Sequence, residues 1–240
     1  MSTLNSLPDV TAQGELFLPR PRVSERRWDS EFAYPRYVER DPEGPRFRPA
    51  SIISYLNDLY RTPGSVGFKL MYAQLGRYPE ILAYLINHRI RVVHLVRRNH
   101  FDVVLSYAVK AKLGQAHLLS GQTAPEELRV DLDSKNLVRR LHWLQFKQNV
   151  ARKMLRWSRL PHLVVAYEYL LDDQTRFRLI QNFLSIGSEE DVFESTLVKI
   201  RKGGHREVIN NYDDVRAGLV NSKFIGLLDW VCLNREEVRA

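Results

Sequence analysis

The chain has 240 residues, 44% hydrophobic and 27% charged, an ordinary globular composition with enough apolar material for a core, which excludes a small disulfide scaffold. Thirty-six Lys and Arg against 28 Asp and Glu leave a formal charge of +8, favouring an anionic partner such as nucleic acid, a membrane surface or a phosphorylated cofactor. The lone cysteine, Cys232, reads as a core residue, no Cys/His cluster stands at zinc spacing, and neither a signal pattern nor a membrane-length apolar run is present, so the expectation is a soluble cytoplasmic protein without a metal.

In chain order, residues 17–50 carry six prolines and eight arginines with little periodicity and read as a long irregular excursion. Residues 51–60 form a predicted helix capped by Ser51, and 65–73 a predicted strand after the Pro63-Gly64 turn. A helix over 78–88 and a strand over 90–96 follow, with the next helix beginning near Phe101 or Asp102. The strongest helical segment is 134–157, where Leu137, Leu141, Leu144, Ala151 and Leu155 share one face; this helix could equally serve a homodimer. A third strand is expected at 162–168 and further helix at 173–200. Strands alternating with helices predict one α/β domain over 1–240, a parallel sheet with helices on both faces.

Ligands of such sheets sit at the carboxyl ends of strands, where the chain turns into a helix. His94–Tyr107 (HLVRRNHFDVVLSY) is such a junction, bringing Arg97 and Arg98 to a strand end and Ser106 to the second helical turn. A guanidinium fork with a hydroxyl suits a phosphate. The alternative is that the arginines solvate a strand end and Ser106 fills a helix.

The segment RRNHFDVVLSY resembles the 3′-phosphate-binding element of sulfotransferases that use 3′-phosphoadenosine 5′-phosphosulfate (PAPS), a strand followed by Arg-Asn-Pro-x-Asp-x-x-x-Ser. Arg98, Asn99, Asp102 and Ser106 fall on that pattern, and His100 replaces the proline. GFKLMYAQL (67–75) is similar to the strand preceding this site in bacterial members, YEYLL (167–171) to their Tyr-Glu-x-Leu strand end, and KIRKGGHREVINNYDDV (199–215) to the segment closing over the nucleotide. The resemblance implies a three-layer, P-loop NTPase-like sulfotransferase fold. It also implies PAPS as co-substrate, with Arg98, Ser106, Arg201, Lys202 and Gly203 as cofactor contacts.

Members of this family open with a strand, a phosphosulfate loop and a helix that hold the 5′ end of PAPS. No such strand or loop is found, and MSTLNSLPDVTAQGELFLP looks like the second half of that first helix, so the fold is expected to be N-terminally incomplete. Similarity to bacterial carbohydrate sulfotransferases makes Glu15 of AQGELF the candidate catalytic base, with Gly14 freeing the backbone to aim it. Lys69 is a candidate for positive charge on the sulfuryl oxygens, or else a structural ion pair. None of the seven histidines stands at metal or triad spacing.

The implied reaction is sulfuryl transfer from PAPS to a hydroxyl acceptor of carbohydrate or glycolipid class. One alternative is a truncated or inactive nucleotide-binding relative. Another is a nucleic-acid binder, for which arginines at 20, 22, 26, 27, 36 and 40 interleave with Trp28, Phe32, Tyr34 and Tyr37. Glu25, Asp29, Glu31, Glu39 and Asp41 run through the same tract and weaken that reading. A kinase is disfavoured because no G-x-x-x-x-G-K-[ST] occurs.

Overall fold

Helices dominate the computed structural model, which describes residues 3–19, 34–40, 47–113, 118–119, 128–172, 174–188, 197–198 and 204–228. The elements are β1 (Val10–Gln13), α1 (Tyr37–Arg40), α2 (Arg48–Leu59), β2 (Ser65–Phe68), α3 (Tyr72–Arg77), α4 (Glu80–Asn87), β3 (Val92–Val96) and α5 (His100–Leu113). There follow β4 (Leu118–Leu119), α6 (Ser134–Ser158), β5 (His162–Ala166), α7 (Tyr167–Asp172), α8 (Phe177–Leu184), β6 (Leu197–Val198), α9 (His205–Val208) and α10 (Tyr212–Leu219). The protein is mixed α/β. Among the described residues the strands form three separate pairs, β1 with β2 and β3 with β5 in parallel and β4 with β6 antiparallel, in place of the expected continuous sheet. The chain divides into two compact units.

The first unit spans Met1–Val92, Leu155–His162 and Phe177–Glu194. Its strands run in register from Val10 opposite Ser65 to Gln13 opposite Phe68. Gly64 enters β2 at φ +85°, and a Cβ there would lie 2.6 Å from the Asp9 carbonyl, so this turn requires glycine. Phe17, fully buried, holds Tyr37, Tyr55, Phe68 and Tyr78 at ring centroids of 5.4–5.7 Å. Ile52, Tyr55, Leu56 and Leu59 of α2 cover the same core at helical spacing.

The second unit spans Val93–Met154, Leu163–Arg176 and Ser195–Ala240. Phe101, Val104, Leu105 and Val109 of α5 pack with Leu137 and Leu141 of α6, Val215 and Leu219 of α10, and Phe224 and Leu228. Val130 bridges to Ile209, and the Asn211 side chain bonds the Leu132 backbone at both its N–H (3.0 Å) and its carbonyl (2.8 Å). That amide satisfies polar groups that a neighbouring strand would otherwise pair.

Several expectations need correction. Residues 3–13 are turns followed by β1, not the tail of a helix. The strand predicted over 65–73 stops at Phe68, and α3 begins at Tyr72. Ser51 lies inside α2, whose N-cap is Phe47, because Pro49 suits the first helical turn. The strand expected over 162–168 stops at Ala166, and Tyr167–Asp172 is helical, so the YEYLL segment follows the strand end as a helix. Of 173–200, Gln174–Arg176 is a 3-10 turn and Phe177–Leu184 a helix, while Leu197–Val198 is strand.

Candidate functional site

The junction read as a phosphate site begins where β3 ends. Val96 is buried, Arg97 and Arg98 are half-buried, and Asn99 is buried again before α5 starts at His100. Asn99 caps that helix: its Oδ1 accepts the amides of Phe101 (3.0 Å) and Asp102 (3.3 Å), satisfying donors that a helix start leaves without partners. Its Nδ2 donates to the Leu227 carbonyl at 3.1 Å.

Glu168 fixes the turn itself. It is buried at the start of α7, and its carboxylate accepts the Arg98 amide at 3.0 and 3.2 Å and the Asn99 amide at 3.2 Å. Beside it, the Arg97 guanidinium lies 4.0 Å from the Tyr167 ring centroid. A carboxylate thus occupies the backbone donors of this turn. An incoming phosphate would therefore meet side chains here, not those two amides.

Ser106 is exposed on α5, and its hydroxyl donates to the Asp102 carbonyl one turn back at 2.7 Å. Donation to a ligand would require that hydroxyl to turn outward. On the other side of the helix start, Asp102 Oδ1 lies 2.9 Å from Nε2 of His205, and Nδ1 of His205 lies 2.7 Å from the Leu228 carbonyl. His205 thereby ties the start of α9 to the first turn of α5. Burial lowers the pKa of His100, the residue in the proline position, against opposing contributions from the Glu168 charge, the Arg98 backbone and Gln148. Arg201, Lys202 and Gly203 lie outside the described residues.

The candidate base belongs to the first unit. Glu15 follows β1, and its carboxylate is engaged at both oxygens: Lys69 Nζ lies 2.8 Å from Oε1 and Gln74 Nε2 donates to Oε2 at 3.2 Å. Gln74 is buried and its Oε1 accepts the Met71 amide at 3.1 Å, so the start of α3 orients the group that orients Glu15. Lys69 sits just past β2, its own amide bonded to the Gln13 and Gly14 carbonyls, and takes the ion-pair role. Gly14 is not among the residues with positive φ, so no special backbone angle aims Glu15.

Tyr37, part of the aromatic tract weighed for nucleic-acid stacking, is buried in the core, and Tyr34 packs edge-on to Tyr55. Residues 20–33 of that tract lie outside the described residues. Among the described residues no group of three or more His, Cys, Asp and Glu could hold a metal, and no helix is long and apolar enough to cross a membrane. No protein-family model, curated protein or solved structure matches the chain.

Sequence reasoning missed Glu168, His205 and Gln74. The only signal for Glu168 was its place as the last residue of the strand expected over 162–168, the position that delivers side chains to a strand end.

Proposed function

We propose that the chain is a PAPS-dependent sulfotransferase of P-loop NTPase-like fold, binding the nucleotide 3′-phosphate through Arg98 and Ser106, with Arg201, Lys202 and Gly203 as further contacts. The acceptor is a hydroxyl of a carbohydrate or glycolipid. The observation carrying this reading is the fixed strand–turn–helix over residues 96–106, in which Glu168 and Asn99 hold the backbone while Arg98 stays half-buried and Ser106 exposed.

In the reaction, the acceptor oxygen attacks sulfur and its proton passes to the Glu15 carboxylate. The bond from sulfur to the bridging oxygen of the 5′-phosphate breaks, and 3′-phosphoadenosine 5′-phosphate leaves with the electron pair. Lys69 and Gln74 hold the carboxylate in one orientation, which favours a base with a fixed direction of approach.

The test is calorimetric titration with 3′-phosphoadenosine 5′-phosphate, with the 2′-phosphate isomer as control. Selective binding is expected, and Arg98→Ala should weaken it about tenfold to a hundredfold, the worth of a charge-assisted phosphate contact. Equal affinity of that variant and the parent would sink the assignment. Glu15→Gln should leave binding unchanged and abolish transfer of labelled sulfate to saccharide acceptors; binding without transfer in the parent chain would select the inactive-relative reading.

A further inference from the structure

Helix α6 runs 25 residues without one Asp or Glu, yet carries Lys135, Arg139, Arg140, Lys147, Arg152, Lys153 and Arg156. Removing those seven from the chain's 36 basic residues leaves 29 against 28 acids, so nearly all of the net charge of +8 resides on this one helix. Its buried face carries Leu137, Leu141, Gln148 and Ala151. The opposite face is apolar as well: Trp143, Phe146 and Val150 recur at spacings of three and four residues and are 54%, 55% and 46% exposed. At 100° per residue, Arg140 and Lys147 fall on one side of that stripe, Lys153 on the other and Arg139 within it. Trp143 stacks on Phe146 at 5.4 Å between centroids, and Lys147 Nζ lies 4.9 Å from the Trp143 ring.

The composition of this face selects its partner. A second copy would meet it with the same four cations and no acid, so a two-fold pairing of like faces brings like charges together. A single-stranded nucleic acid would neutralise the cations and offer bases to stack, but Trp143 is already stacked on Phe146 with Lys147 over its ring, and Val150 would meet nothing apolar. A bilayer surface with anionic headgroups satisfies both parts, because Trp and Phe settle at the headgroup boundary while Lys and Arg engage the lipid phosphates. We propose that the Trp143–Phe146–Val150 face of α6 docks the protein on an anionic membrane surface. The helix lies in the interface plane, which its charge density requires.

The experiment is co-sedimentation of the full chain with vesicles of phosphatidylcholine alone, or mixed in equal parts with phosphatidylglycerol. Binding is expected to the mixed vesicles only, and to weaken with added salt. The double variant Trp143→Ser, Phe146→Ser should lower partitioning by about tenfold or more, from lost apolar burial. Arg139→Gln and Lys147→Gln should each cost about fivefold. All four side chains are solvent-facing or half-buried, and unchanged circular dichroism would exclude misfolding as the cause. No binding to mixed vesicles, or binding that the aromatic variant leaves intact, overturns the proposal. So does a dimer in sedimentation equilibrium that the aromatic variant dissociates.

Discussion

Glu168 is the side chain on which the β3–α5 turn depends, since one buried carboxylate accepts both amides of Arg98 and Asn99. Truncation leaves a buried donor without a partner, which costs more than the net worth of the bond it had made. Glu168→Ala is expected to destabilise the protein by about 2–3 kcal/mol in urea unfolding, and Glu168→Gln by less because one acceptor oxygen remains. The placement of Arg98 on the β3–α5 turn and of Ser106 on the second turn of α5 was legible in the sequence, because the two are eight residues apart on one local unit. Glu168 and His205 were not, because they lie 70 and 103 residues from the atoms they bind, and one chain read alone carries no register for such pairs.

Helices with a strong apolar stripe were readable as elements: α6 runs Ser134–Ser158 against 134–157 expected, and α4 runs Glu80–Asn87 inside 78–88. Short segments misled, because four or five apolar residues fit either period. Val10–Gln13 is a strand because β2 lies alongside to pair it, a tertiary fact that local propensity does not encode. Tyr167 and Glu168 are helical where the strand expected over 162–168 would have ended, and that puts Glu168 at the start of α7. The Pro63-Gly64 punctuation was read correctly, and its cause is steric. Gly64→Ala would put a Cβ 2.6 Å from a backbone oxygen at positive φ, so the urea midpoint should fall by the equivalent of about 1–2 kcal/mol or more. Gly14→Ala, with nothing within 4 Å of the added carbon, serves as the neutral comparison.

At the scale of the whole protein, stability should depend on pH through His100. Burial depresses its pKa in the folded state below the ordinary 6.5, so the unfolded chain binds the proton more readily. The contribution is fully present above about pH 6.5 and is lost as pH falls through the folded value; thermal melts across that window should show a smaller acid loss in His100→Gln than in the parent. Uneven charge has a further result. The isoelectric point is about 9.6, and nearly all of the excess charge behind it sits on one helix whose basic side chains are exposed or half-buried. Neutralising α6 alone would bring the molecule close to electrical balance at neutral pH. Colloidal solubility, which rests on mutual repulsion between like-charged molecules, is therefore governed by the exposed side of a single element.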